Sequence, residues 1–314
     1  MKNLRVIFMG TPDFAVPCLQ ALYEHSNVTA VITQPDKPKG RGQKLTFSPV
    51  KKWALEHDLP VYQPPKVRDT EFIQKLRDLK PDIIVVVAFG QILSQTILDI
   101  PPLGCINVHA SLLPHYRGAA PMQWCIINGE TETGVTTMLM DAGLDTGDML
   151  LKEETAIGEN TTLEELHDKL MQLGAGVLLK TIDGIVNGKI SAVKQPELSN
   201  YAPMIDKATG HIDWQKPAAN IHNLVRGLNS WPGAYTYLNG EKYKIWRTVL
   251  TDQKSTAKPG TIVAADKNAG LLVATGDNLL KIVELQAPGK KKIKTVDFLN
   301  GHSIKLPASF EASQ

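Results

Sequence analysis

Residues 81–88, Pro-Asp-Ile-Ile-Val-Val-Val-Ala, constrain this chain more than any other stretch. Five β-branched residues in a row leave no polar face for water. A strand of that kind belongs in the middle of a parallel sheet, covered on both sides. A parallel sheet needs crossover segments, and the flanking sequence supplies them. Residues 4–9 and 28–33 read as strands, and 14–25 has apolar residues at helical spacing. Ser48-Pro49 opens a helix to about residue 56, with serine at the cap and proline in the first turn. A short strand at 59–62 and a helix at 69–79, capped by Asp69 or Thr70, lead into the central run. Beyond it come a short helix at 94–98, a strand at 105–109, a helix at 119–128 and a strand at 133–140. A long helix over 161–186, opened by a Thr/Glu capping box, follows them. The alternation predicts an α/β, Rossmann-like, doubly wound and mainly parallel sheet.

The tail changes character. Residues 188–209 lack periodicity and read as a linker. Residues 211–228 open irregularly and continue as a helix. Short alternating strands then follow at 234–238, 241–249, 260–265, 270–274 and 279–285. Asn239-Gly240 between the first two is a strong hairpin signal. This pattern predicts a small OB-like β-barrel. The expected organisation is a catalytic domain over 1–188, a linker over 189–208 and a barrel domain over 209–314.

Ligands of doubly wound sheets sit outside the carboxyl ends of the strands. At one such end, Asn107 and His109 share a face because side chains at i and i+2 do so in a strand. A carboxamide beside an imidazole can polarise a carbonyl and move a proton. The turn Ser111-Leu112-Leu113-Pro114 follows them. The next strand runs into a loop bearing Asp141, Asp145 and Asp148, any of which could orient His109. A lone strand-end histidine is more often structural, so the acidic loop strengthens the case.

Other chemistries are disfavoured. The first βα turn holds Gly10 but no G-x-G-x-x-G, so no dinucleotide is expected. Ser111 lacks a G-x-S-x-G frame, and no histidine pair has metal-binding spacing. No apolar run approaches the ~20 residues of a membrane helix, and no signal peptide precedes the first strand. Three cysteines without a C-x-x-C pair suit a reducing, cytoplasmic setting. Net charge is only +2, yet residues 209–314 hold 14 Lys and Arg against 8 Asp and Glu. Residues 34–50 form a long βα connection with Lys37, Lys39, Arg41 and Lys44 against Asp36 alone. Such a basic, Gly-rich segment suits nucleic acid, and a solvated insertion is the bland alternative.

The motifs Asn107-x-His109-x-Ser111-Leu112-Leu113-Pro114, Tyr116-Arg117-Gly118 and Asp141-x-Gly143-Leu144-Asp145-Thr146-Gly147-Asp148 resemble those of the folate-dependent formyltransferases. Gly10–Phe14, the segment from Gln34 to Gly42, Gly118–Pro121, Ile212–Trp214 and Asn229-x-Trp231-Pro232 are similar to the branch that acts on charged tRNA. The resemblance spans essentially the whole chain. It implies transfer of a formyl group from 10-formyltetrahydrofolate, a cosubstrate, to the α-amine of methionyl initiator tRNA. It also implies a cytoplasmic monomer that needs no metal. The family's catalytic residues fall on Asn107, His109 and Asp145. Folate is expected near Phe89, Gly90, Ser111, Leu112, Leu113, Pro114, Asp141 and Gly143. The tRNA is expected at Lys37, Lys39, Arg41 and Lys44, with Arg41 entering the acceptor stem and the barrel holding the backbone. A formyltransferase for a small amine is the alternative within the class, and an RNA-binding protein with a silent catalytic domain is the alternative outside it.

Overall fold

The computed structural model describes residues 1–39 and 44–311. Its elements run β1 (Arg5–Gly10), α1 (Val16–His25), β2 (Asn27–Ile32), β3 (Lys37–Lys39), β4 (Lys44–Thr46), α2 (Pro49–Glu56), β5 (Val61–Tyr62), α3 (Thr70–Asp78), β6 (Ile83–Val87), α4 (Gln95–Leu98) and β7 (Cys105–His109). Then come β8 (Arg117–Gly118), α5 (Pro121–Ile127), β9 (Glu132–Leu139), β10 (Met149–Ala156), α6 (Leu163–Val186) and β11 (Tyr201–Ala202). The tail adds α7 (Ala218–Gly227), β12 (Ala234–Leu238), β13 (Glu241–Lys254), β14 (Thr261–Asp266), β15 (Gly270–Ala274), β16 (Asn278–Gln286), β17 (Ile293–Lys294), α8 (Thr295–Gly301) and β18 (Ala308–Ser309). Two compact units result. The first comprises Met1–Gly118, Glu132–Thr155 and His167–Ala202, and the second Ala119–Thr131, Ala156–Leu166 and Pro203–Gln314.

In the first unit the sheet order is β10-β9-β7-β6-β1-β2-β5. The strands from β7 to β5 are parallel, and β9 is antiparallel to β7. All five residues of β6 are buried, as the apolar run requires. Ile7, Met9, Ile32, Ile84, Val86, Phe89 and Ile97 belong to one core cluster. Gly10 ends β1 where a Cβ would lie 2.7 Å from the Phe8 ring, so close packing explains the glycine. Ser48 caps α2 through a 3.1 Å bond from the Lys51 amide, as predicted. Asp69 occupies the cap position of α3 but its side chain makes no capping bond.

Three expectations about connections change. The 34–50 segment is not a plain loop, because β3 and β4 pair as an antiparallel hairpin within it. The 189–208 stretch is also structured. β11 runs parallel to β8, and Val193 bridges Met149. β10 was not anticipated, because its Lys152, Glu153 and Glu154 mask any apolar pattern. Charged side chains are what protect an edge strand from stray pairing.

The second unit is a curled antiparallel sheet ordered β12-β13-β16-β15-β14-β18, with β17 on β16. The Glu311 amide donates to the Tyr237 carbonyl of β12 at 2.9 Å, which brings the chain end beyond β18 round to the opposite edge. Asn239 and Gly240 both have positive φ, the geometry the predicted tight hairpin demands. Trp214, Ile221, Val225, Ile245, Ile282 and Phe310 fill the interior. The buried Trp214 indole donates to Thr236 Oγ1 at 2.9 Å.

A buried polar knot pins the 158–161 segment to α7. Arg226 donates to the carbonyls of Gly158 (3.3 Å) and Thr161 (2.9 Å). His222 Nε2 donates to the Glu159 carbonyl at 3.1 Å, so Nδ1 accepts from Thr248 at 2.9 Å. Burial pulls His222 below the usual histidine range, the Glu159 carbonyl partly offsets this, and Arg226 adds to the depression. A depressed folded value means that protonation favours unfolding. The stability is complete above the ordinary histidine value of about 6.5 and is lost as pH falls through the folded value. The wild type should therefore lose more Tm than His222→Gln between about pH 7.5 and pH 5.5. Equal losses would show that His222 does not set this sensitivity.

Candidate active site

β7 delivers Asn107 and His109 to the carboxyl edge of the first unit's sheet, where the loop after β9 meets them. Asp145 sits in that loop at φ +54°, a left-handed conformation that aspartate tolerates better than most residues. The chain can fold back there because the following residue pair ends in Gly147. A Cβ on Gly147 would lie 1.7 Å from the Leu139 carbonyl oxygen.

The Asp145 carboxylate is the hub of the arrangement. Asn107 Nδ2 donates to Oδ1 at 3.3 Å, and the Gly118 amide donates to Oδ2 at 2.9 Å. His109 Nδ1 lies 3.6 Å from Oδ2, within ion-pair range but beyond a hydrogen bond. His109 is 6% exposed, and its Nε2 donates to the Tyr116 carbonyl at 2.9 Å. The ring nitrogen left to act is therefore Nδ1. The pairing also fixes the Asn107 amide, since the carboxylate accepts and the NH₂ must face it. One remaining Asn107 N–H can then serve an oxygen that gains charge, and so can His109 Nδ1 when the ring is the imidazolium, with a carboxylate beside them to take a proton.

Of the three acids in the loop, Asp145 is the one that reaches Asn107. Asp141 instead turns to the Gly143 amide (3.0 Å) and the Thr146 hydroxyl (2.7 Å). Asp141 and Gly143 are both exposed.

The residues expected around folate divide into committed and open groups. The Phe89 side chain is buried in the core cluster, so only its backbone is left to face a ligand. Its carbonyl accepts from Thr11 (3.0 Å) and Gln34 (3.1 Å). Ala88 and Gly90 both have positive φ, turning the chain sharply after β6, and Gly90 is exposed. In the 111–114 turn, Thr136 accepts from the Leu113 amide and donates to the Ser111 carbonyl. Ser111 Oγ donates to the His115 carbonyl, Ser199 donates to the Pro114 carbonyl and Lys152 Nζ to the Leu113 carbonyl. Leu113 is fully buried, whereas Leu112 and Pro114 are half-buried. The turn is thus a braced surface whose polar groups are largely spent.

Among the basic residues, Lys37 opens β3 and is exposed. Lys39 and Lys44 pair through their backbones across the hairpin, and their side chains lie outside the described residues. Arg41 lies outside the described residues altogether.

The structure adds residues that sequence reading missed. Gln195 Nε2 donates to the carbonyls of Asp145 (2.8 Å) and Gly147 (2.7 Å), bracing the aspartate's loop. Asn200 Oδ1 accepts the Tyr116 amide at 2.7 Å, next to the carbonyl that holds His109. Both lie in the stretch read as a linker. A pair of isolated amide side chains there carries no periodic signal that could have singled them out. Among the described residues, no group of His, Cys, Asp and Glu could hold a metal ion, and no helix is long and apolar enough to cross a membrane.

Comparison with known proteins identifies the family. The profile of the Formyl transferase family matches residues 2–182, and that of the Formyl transferase C-terminal domain matches 204–303. The methionyl-tRNA formyltransferase of Trichlorobacter lovleyi is 56% identical over 98% of this chain and 96% of its own length. That of Clostridium botulinum is 56% identical over 96% and 98%. Among solved structures, an N-formyltransferase from Helicobacter canadensis, crystallised with folinic acid and dTDP-3-aminofucose, superposes with a TM-score of 0.66 at 22% identity. It covers 90% of this chain and 99% of its own. A sugar 3N-formyl transferase with dTDP and 5-N-formyl-THF gives 0.65 at 22%, covering 93% and 100%. The solved structures share the fold alone. With its two domains matched in order and its length shared almost completely, the chain belongs to the formyl transferase family, among the methionyl-tRNA formyltransferases.

Proposed function

We propose that Asn107, His109 and Asp145 carry out the formyl transfer from 10-formyltetrahydrofolate to the α-amine of methionyl initiator tRNA. The product, formylmethionyl-tRNA, serves translation initiation in the cytoplasm. The observation that carries this reading is the Asp145 carboxylate, which is hydrogen-bonded to Asn107 and set against His109 at the sheet's carboxyl edge.

The neutral amine attacks the formyl carbon, and negative charge develops on the formyl oxygen. Asn107 Nδ2 donates to that oxygen, and His109 does so through Nδ1 as the imidazolium, because its Nε2 proton is held by the Tyr116 carbonyl and Asp145 stands as the counter-ion. A preorganised donor of this kind is typically worth ~10²–10³ in rate. Asp145 takes the proton the amine sheds, directly or through a water, and holds Asn107 in register meanwhile. The oxyanion then collapses to the new amide, the carbon–nitrogen bond to the folate breaks, and the departing nitrogen recovers the proton that Asp145 took, which returns the carboxylate to its starting form.

The folate lies against Gly90 and the Phe89 backbone, the Ser111–Pro114 turn and the Asp141–Asp145 loop. Since the turn's polar groups are committed, Leu112 and Pro114 offer it shape and apolar surface. The basic hairpin and the barrel engage the tRNA, with Lys37, Lys39 and Lys44 on its phosphates and Arg41 in the acceptor stem. The chain acts as a monomer.

Incubating the protein with the donor and either charged initiator tRNA or a small amine tests this reading. Formylmethionyl-tRNA is expected, and formylation of the small amine alone would overturn it. Arg41→Ala should reduce the preference for initiator over elongator methionyl-tRNA by about tenfold, the scale of one lost side-chain contact of ~1–3 kcal/mol. An unchanged preference in competition assays would remove Arg41 from recognition.

A further inference from the structure

The basic hairpin has an anchor that the catalytic account leaves unused. Lys51, in the first turns of α2, is only 12% exposed at its side chain. A buried ammonium is costly unless its donors are satisfied. Here Nζ donates to Asp36 Oδ2 at 2.5 Å and to Gln63 Oε1 at 2.7 Å, and it lies 3.9 Å from the centre of the Phe47 ring. Asp36 immediately precedes β3 and Phe47 immediately follows β4. One ammonium therefore holds both ends of the hairpin stem.

The chain of bonds continues inward. Gln63 Nε2 donates to Asp36 Oδ1 and to the Gln34 carbonyl, both at 2.9 Å. Gln34 Nε2 in turn donates to the Phe89 carbonyl at 3.1 Å. Lys51 and Gln63 hold the Asp36 carboxyl below the usual carboxylate range, so it meets Lys51 as a carboxylate at neutral pH. On the leaving side, Thr33 and Ser48 hydroxyls bond at 2.8 Å. The hairpin stem is thereby fastened to the strand ends that form the carboxyl edge of the sheet.

We propose that Lys51 is a positioning residue for tRNA: its contacts with Asp36 and Phe47 clamp the hairpin stem and so fix where the basic hairpin meets the acceptor end. This rests on the tRNA reading given above. Lys51 does not touch the reacting atoms. Its loss changes how the tRNA is presented, while the Asn107–His109–Asp145 cluster keeps its own bonds.

Steady-state formylation of charged initiator tRNA by Lys51→Met and, separately, Asp36→Asn tests the clamp. Each should raise KM for tRNA about tenfold, leave KM for the donor within about twofold and narrow the preference for initiator over elongator tRNA. A tenfold change corresponds to about 1.4 kcal/mol. In a chain whose residues 37–46 are replaced by a short Gly/Ser linker, Lys51→Met should have no further effect, because the clamp has nothing left to hold. Unchanged tRNA KM and preference in both variants would overturn the proposal. So would an equal loss from Lys51→Met with and without the hairpin, which would mark Lys51 as a stabiliser of α2 alone. Failure of the wild type to formylate the tRNA would instead strike the tRNA reading itself.

Discussion

Asp145→Asn is expected to lower kcat for formyl transfer by ~10²–10⁴ with little change in KM for tRNA. The substitution is nearly isosteric, and asparagine tolerates the φ of +54° at this position about as well as aspartate. The loop should therefore keep its course, still braced by Gln195 on the Asp145 and Gly147 carbonyls. The chemistry changes. In the wild type the carboxylate accepts from both Asn107 and the Gly118 amide. An asparagine keeps one acceptor oxygen and turns its NH₂ toward a group that is itself a donor. It also cannot take the amine's proton. Comparing kcat and KM with the wild type, beside the thermal melt of each, checks this. Retention of near-wild-type kcat would show that the proton leaves by another route.

His109→Ala should cost ~10³-fold or more in kcat while tRNA affinity stays near that of the wild type. It removes one of the two side-chain donors proposed for the formyl oxygen, a loss worth ~10²–10³, and opens a cavity beside the reacting group. The ring is 6% exposed and held by the Tyr116 carbonyl, so its orientation is set before substrate arrives. A filter-binding or anisotropy measurement separates the two roles. Loss of tRNA binding in parallel with kcat would mean that the histidine supports structure.

The sheet was legible because burial on both faces writes itself into composition. The run at 83–87 could not serve as a surface strand, and β1, β2 and β6 followed from apolar runs of the same sort. The Asn239-Gly240 turn was legible because few residue pairs adopt positive φ twice in succession. Elements whose stability comes from partners distant in sequence were not. The β3–β4 hairpin consists of Lys-Pro-Lys against Lys-Leu-Thr, with no strand-like alternation. Its fixation depends on Lys51 and Gln63, which reach it from α2 and from the stretch after β5. β10 is charged because it lies at an edge, and α8 is a single short helix opened by Thr295 and Val296, residues with low helix propensity.

The site shows the same division. Asn107 and His109 were placed by strand alternation alone. The choice of Asp145 over Asp141 and Asp148 was open from the residues and came from family resemblance. In the structure it depends on a left-handed backbone and on a glycine packed against the Leu139 carbonyl. Neither feature is written as a local pattern. The Tyr116 carbonyl that holds His109 is invisible to sequence reading for a simpler reason, since every residue has one. Phe89 carries the converse lesson: its side chain is spent on the core, and what remains for a ligand is backbone.

The central claim is that Asn107, His109 and Asp145 together move a formyl group onto charged tRNA. Its most direct test is a single-turnover experiment with enzyme in excess, a donor labelled in the formyl carbon and methionyl initiator tRNA. The wild type is expected to pass the label to the methionyl amine at a rate that Asn107→Ala, His109→Ala and Asp145→Asn each reduce by ~10² or more, with donor and tRNA still bound. Transfer at the wild-type rate by any two of these variants would contradict the account.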